Sequence, residues 1–152
     1  VEKGITTGTS ATTFSPSETC TRAQILTFLW RAQGSPKASG KNPFSDVSAN
    51  DYFYDAAVWA NEKGMVDGGK FLGDTPCTRS STVTYIWQSS DSPDAASTGA
   101  FGDVAADADY AKVVAWAVAQ GITSGTSATT FSPDEICSRA QIVTLLYRAI
   151  SK

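Results

Sequence analysis

A chain of 152 residues with 41% hydrophobic content and a net charge of −3 is sized for one domain with a sizeable core. It has no basic run, which argues against nucleic acid as a partner, and no apolar stretch approaching the roughly 20 residues of a membrane span. It also has no histidine, which removes the commonest general base and metal ligand, and with it any Ser–His or Cys–His catalytic pair.

The chain repeats itself. Gly4 to Arg31 and Gly121 to Arg148 are identical at 21 of 28 positions, at an offset of 117, and a degraded copy runs from Gly64 to Trp87. Such self-similarity sets the architecture before any single residue does. The repeats divide one domain over 1–152 into the second half of a first copy (1–34), a second copy (42–90) and a third (100–152). Copy one keeps only the tail of the segment that opens the others: Val1-Glu2-Lys3-Gly4 matches Asn61-Glu62-Lys63-Gly64. The chain is therefore expected to start inside a repeat and to be a fragment of a longer protein.

In chain order, Gly8 is expected to form a tight turn and Phe14 to plug the loop onto the core. Thr21-Arg22-Ala23-Gln24 fits a capping box, in which the threonine hydroxyl accepts from the third helical N–H and the glutamine reaches back. The helix it opens is apolar on several faces (Ile25, Leu26, Phe28, Leu29, Trp30), which predicts burial on several sides. A Gly/Ser/Pro-rich linker over 34–43 follows. Copy two then begins with Phe44-Ser-Asp46-Val47, and Ser48 or Asn50 is expected to cap a helix from about Asp51 to Lys63 with Tyr52, Ala56 and Trp59 on one face. Gly64 ends that helix as a glycine tolerant of positive φ. Gly68, Phe71 and Thr78-Arg79-Ser80-Ser81 repeat the turn, the plug and a capping box without its long partner. After a second linker over 89–99, copy three repeats the pattern. Phe101-Gly-Asp103-Val104 leads to a stripe of Tyr110, Val113, Val114 and Ala117, the stop Gly121, the turn Gly125, the plug Phe131 and the complete box Ser138-Arg139-Ala140-Gln141.

Arg22, Arg79 and Arg139 occupy one equivalent place, the first position of a helix. Arginine there opposes the helix dipole, which favours negative charge by about 0.3–1 kcal/mol. Helix stability alone does not select it. Two readings follow: an anion site formed with the free N–H groups of the helix start, or an internal ion pair with Asp46 or Asp103. Cys20, Cys77 and Cys137 also share one place and read as small buried apolar residues rather than a metal or redox set. Asp103, Asp107 and Asp109 form a short acidic run that reads as caps and dipole partners before paired catalytic carboxylates or a calcium site.

Phe-x-Asp-Val, an aromatic-led helix, Gly-Ile-x-x-Gly, Phe-x-Pro and Thr-Arg-Ala-Gln, in that order and in two and a half copies, resemble the repeats of the S-layer homology (SLH) family. The resemblance implies an all-α, pseudo-threefold domain on a bacterial surface protein. It also implies a non-catalytic module without cofactor or metal, held in the cell wall or S-layer by an acidic secondary cell-wall polymer, commonly one ending in a pyruvylated aminosugar. By the same resemblance Arg22, Arg79, Arg139, Asp46, Asp103 and Tyr52 are the ligand-binding candidates. The helix starts would add N–H donors. The family's Glu is Gln24 and Gln141 here and Ser81 in copy two, and its frequent Trp is Tyr52 and then Asp109. The three arginines are therefore expected to differ in role, Arg79 being the nearest to purely structural. A second reading is a protein–protein or self-assembly module, self-associating through the incomplete first repeat.

Overall fold

The computed structural model describes residues 2–95, 99 and 101–151; Val1, Lys152 and the linker residues Ala96, Ser97, Thr98 and Ala100 lie outside it. It is mostly helical: α1 (Arg22–Ala32), α2 (Tyr54–Glu62), α3 (Arg79–Ser89), α4 (Ala111–Ala119) and α5 (Arg139–Ile150). None of these is long and apolar enough to cross a membrane.

The three arginine-led helices α1, α3 and α5 touch one another, while α2 packs on α1 and α4 on α3. Their apolar positions meet in one core: Ile25, Leu26, Val83, Ile86, Ile142 and Leu146 are each no more than 2% exposed. Burying each such side chain stabilises by about 1.5–3 kcal/mol.

Thr21 and Ser138 close complete capping boxes with Gln24 and Gln141. Thr78 caps α3 through its hydroxyl alone, and Ser81 bonds that same hydroxyl instead of the cap N–H. Gly64 and Gly121 follow their helices at φ 68° and 65°, as expected of stop glycines. Gly125 is required for space as well as for its φ of 87°, since a Cβ would sit 2.5 Å from the Thr130 carbonyl oxygen.

The start of α2 differs from expectation. The helix begins at Tyr54, and neither Ser48 nor Asn50 caps it. Instead the Asp51 carboxylate accepts from Ser48 N–H at 2.7 Å and the Asp51 carbonyl accepts from Tyr54 N–H, so residues 51–53 close a turn ahead of the helix. Tyr52 is consequently outside the helix and 63% exposed, whereas Ala56 and Trp59 are buried as expected.

The plugs are unequal. Phe71 and Phe131 are buried, each against the Phe of its own Phe-x-Asp-Val segment: Phe44 lies 5.2 Å from Phe71 and Phe101 5.8 Å from Phe131. Phe14 packs on no such segment among the described residues and is only half-buried.

What joins the repeats is main chain. Cys77 N–H donates to Cys20 O (3.0 Å), Cys137 N–H to Cys77 O (2.8 Å) and Cys20 N–H to Cys137 O (3.1 Å), so the three links close a cycle. All three thiols are free and buried. Burial pushes Cys20 and Cys77 up to about 12.

Candidate functional site

The same cycle continues outward from each cysteine into the helix starts. Arg22 N–H donates to Thr75 O and Ala23 N–H to Gly73 O, both in the loop of copy two. Arg79 and Ser80 donate likewise to Glu135 and Pro133 of copy three, and Arg139 and Ala140 to Glu18 and Pro16 of copy one. The third helical N–H of each start goes to its own cap hydroxyl. The helix starts therefore have no N–H left for an anion, which corrects the expectation that they supply donors. Those N–H groups instead sew each repeat to the next.

The arginine side chains follow the main chain into the neighbouring loop. Arg22 donates to the Phe71 carbonyl (2.7 Å) and to the Tyr85 hydroxyl (3.1 Å). Arg79 donates to the Phe131 carbonyl (2.7 Å) and to Thr123 Oγ1 (3.4 Å). Arg139 donates to the Phe14 carbonyl (3.0 Å) and to the Thr7 carbonyl (3.2 Å). The Arg79 guanidinium also stands 4.9 Å from the Phe131 ring centre, and that of Arg139 5.0 Å from Phe14 and 5.5 Å from Phe28. Arg79 and Arg139 are buried and Arg22 is half-buried, so burial does not single out Arg79. In each guanidinium one terminal nitrogen takes no protein acceptor among the described residues: Nη2 of Arg22, Nη1 of Arg79 and Nη1 of Arg139.

Asp46 and Asp103 reach the same plug residues from the other side. Asp46 accepts from Phe71 N–H (2.7 Å) and Leu72 N–H (2.9 Å), and Asp103 from Phe131 N–H (2.8 Å) and Ser132 N–H (2.7 Å). These bonds hold both carboxylates below their ordinary range. The internal ion pair between arginine and aspartate is thus absent: arginine takes the plug's carbonyl and aspartate its N–H. Among the described residues the one salt bridge is Lys63–Asp91, on the surface at 2.9 Å. Among them, too, no group of acidic or cysteine side chains is placed to hold a metal ion, so the calcium reading of Asp103, Asp107 and Asp109 finds no site.

The structure brings the six candidates together only in part. Asp46 borders an open groove of about 680 Å³ with two further carboxylates, Asp51 and Asp74. Exposed Tyr52 makes an edge-on contact with Phe53, at 5.1 Å. Arg79 lines a groove of about 250 Å³ with Thr123, Gly125, Gln141, Thr144 and Arg148. Sequence reasoning passed over Thr123, Gln141 and Arg148 in that role. The signal available for Arg148 was its identity with Arg31 at the 117 offset, where copy two has Gln88.

The model of the S-layer homology domain matches residues 1–26 and 100–143. The chain carries S-layer homology repeats. Exoglucanase XynX of Acetivibrio thermocellus is 27% identical over 97% of this chain, and the surface-layer 125 kDa protein of Lysinibacillus sphaericus 28% identical over 99%. An endoglucanase of Bacillus sp. strain KSM-635 is 40% identical over 51%. The chain spans only 14%, 13% and 8% of those three proteins. SLH repeats are cell-surface anchoring modules, which places the chain at the cell surface or cell wall.

Proposed function

We propose that this SLH chain is a non-catalytic anchor that binds an acidic secondary cell-wall polysaccharide, for instance one ending in a pyruvylated aminosugar. One observation carries the reading. Each arginine is clamped by a carbonyl of the next repeat and still has a terminal nitrogen free of protein acceptors among the described residues. A guanidinium held in this way loses little side-chain freedom on meeting a carboxylate, and its planar fork suits that group. Asp46 and Asp103 keep free lone pairs that accept from sugar hydroxyls, and exposed Tyr52 offers a ring for a sugar face. Activities of the longer relatives belong, on this reading, to the parts of those proteins outside the region matched here.

The test is calorimetric titration of the chain with purified secondary cell-wall polymer, before and after mild acid removal of its pyruvyl groups. Arg22→Ala, Arg79→Ala and Arg139→Ala run in parallel. Binding that needs the acidic groups, and that is lost in an arginine variant still melting like the parent, supports the proposal. Equal binding to the stripped polymer, or no binding at all, refutes it.

A second reading has its own observation. Val143, Leu146 and Tyr147 of α5 line an apolar groove of about 270 Å³, and Tyr147 is 63% exposed. Leu146 is buried like its equivalents Leu29 and Ile86, but Val143 is half-buried and Tyr147 exposed, whereas Leu26 and Val83, the equivalents of Val143, are buried and Trp30 and Trp87, the equivalents of Tyr147, are half-buried, on helices that carry α2 and α4. In this reading α5 pairs with α5 of a second copy. Sedimentation that shifts with concentration, and stops shifting in Tyr147→Glu, is its expected result. A monomer at all concentrations excludes it.

A further inference from the structure

Three differences between the copies meet in one groove. On α3, Ser81 stands where α1 and α5 carry Gln24 and Gln141, and Gln88 stands where they carry Arg31 and Arg148. Ahead of α4, Asp109 stands where Tyr52 precedes α2. All three line a groove of about 300 Å³ between α3 and the start of α4. Each changes it in the same direction. Gln88 replaces a cation. Ser81 replaces an amide donor, since Gln24 and Gln141 give their carbonyl oxygens to the cap N–H and keep their amides as donors. Asp109 adds a negative charge.

The bonds inside the groove extend the pattern. Ser81, Thr84 and Gln88 stand at i, i+3 and i+7 of α3 and share one face. Thr84 donates its hydroxyl proton to the Ser80 carbonyl (2.8 Å), and Ser81 donates its own to the Thr78 carbonyl (3.0 Å). Both hydroxyls therefore keep only lone pairs for a ligand. Gln88 Oε1 is a buried acceptor with no hydrogen-bond partner among the described residues. An acceptor left in that state is costly, and turning it to meet a donor in the groove breaks no protein bond. Asp109 is exposed and has no ion-pair partner among the described residues. Nor does a lysine or arginine among them line the groove. Lys112, three residues beyond Asp109, lies over the Trp87 ring, and Arg22 is held by Phe71 and Tyr85.

We infer that this groove binds a primary alkylammonium, the group carried by a lysine side chain or a free diamine. An ammonium has three protons to donate and no lone pair, which suits a wall of acceptors. Gln88 Oε1, Thr84 Oγ1 and the Asp109 carboxylate take one proton each, the last as a charge-assisted bond. Met65 and Tyr110, also in the lining, cover the methylene stem. A calcium ion is poorly matched, since it takes about six to eight oxygen ligands and a single carboxylate lines the groove. The basic groove of Arg79 and Arg148 on α5 has the opposite character. The amine site stands apart from the glycan reading and survives or fails without it.

The experiment follows backbone amide resonances of the full chain during titration with Nα-acetyl-lysine methylamide, with the same compound acetylated on Nε, with putrescine and with calcium chloride. The variants are Asp109→Asn, Gln88→Arg and, as control, Asp107→Asn. Asp107 lies two residues from Asp109 and outside the lining, so Asp107→Asn makes the same change in net charge without touching the groove. The expected result is saturable shifts at residues 81–88 and 109–110 with the free amines and none with the acetylated probe. Asp109→Asn weakens binding about tenfold, the size expected for one charge-assisted bond, and Asp107→Asn less than about twofold. Gln88→Arg, which restores the cation of the other copies, abolishes it. Tighter binding of the lysine derivative assigns the amine to a peptide, and tighter binding of putrescine to a free diamine. Equal losses in the two aspartate variants, binding of the acetylated probe, shifts with calcium alone, or no saturable shift with either amine overturn the inference. Melting temperatures equal to the parent exclude misfolding as the cause of any loss.

Discussion

Phe131→Ala and Phe14→Ala make a matched pair, because the two residues are repeat equivalents and each lies under an arginine at nearly the same distance, 4.9 and 5.0 Å. They differ in what covers the other face. Phe131 is 0% exposed and packs on Phe101, while Phe14 is half-buried with no counterpart of Phe101 among the described residues. The cation–π contribution, about 0.5–1 kcal/mol, cancels between them. Truncating a fully buried Phe costs about 3–5 kcal/mol, the transfer loss plus the cavity. Phe14 loses about half the transfer area and leaves an open dent rather than a cavity, so about 2 kcal/mol is expected. At this chain length 1 kcal/mol moves Tm by roughly 2–4 °C, which translates to about 6–20 °C against about 4–8 °C. Urea unfolding followed by tryptophan fluorescence and helical circular dichroism measures both. Equal losses would refute the reasoning, since the Phe-x-Asp-Val segment would then add nothing to its plug.

Other consequences are as direct. Cys20, Cys77 and Cys137 should resist a thiol reagent in the native protein and react once it is unfolded; burial also makes the neutral thiols a stabilising feature that is complete below 9.0 and lost as pH rises towards about 12. Rapid native labelling would contradict the closed ring at the cysteines. Asp46 and Asp103 have folded pKa values below their ordinary range, so their contribution is present above the unfolded carboxylate range and disappears as pH falls through the folded value. Asp103→Asn should therefore flatten the acid limb of the stability curve, and an unchanged limb would mean that the bonds to Phe131 and Ser132 contribute nothing. Thr21→Ala removes the cap of α1 and should cost about 1 kcal/mol in urea unfolding, whereas Thr21→Ser should be nearly silent.

Features that depend on neighbours a few residues apart were legible in the sequence. The two capping boxes, the stop glycines, the buried stripes of the arginine-led helices and the broken box of copy two all need only local spacing. The late start of α2 was missed because Asp51 looks like a first-turn acid, while its carboxylate turns back to Ser48 N–H and closes a turn instead. The main-chain partners of the arginines and aspartates were missed for a different reason. Their partners are main-chain groups of Phe14, Phe71 and Phe131, tens of residues away, and a carbonyl or an N–H has no signature in the side-chain sequence. Charge complementarity pointed from arginine to aspartate, whereas the fold puts a plug residue between them. The linking of the three cysteine peptides was hidden likewise, since a backbone hydrogen bond places no demand on residue type. The basic groove came from comparing copies: Arg31, Gln88 and Arg148 share one register, and only the structure shows that the third of them faces Arg79 across a cavity.

The central claim, anchoring through an acidic wall polymer, is tested most directly by sedimentation of the chain with bacterial cell-wall sacculi prepared in two ways. One retains the secondary polymer and the other has had it extracted with hydrofluoric acid. The account predicts that the chain pellets with the first, stays in solution with the second, and is released from the first by added free polymer. Equal pelleting with both preparations would place the attachment on peptidoglycan and contradict the account.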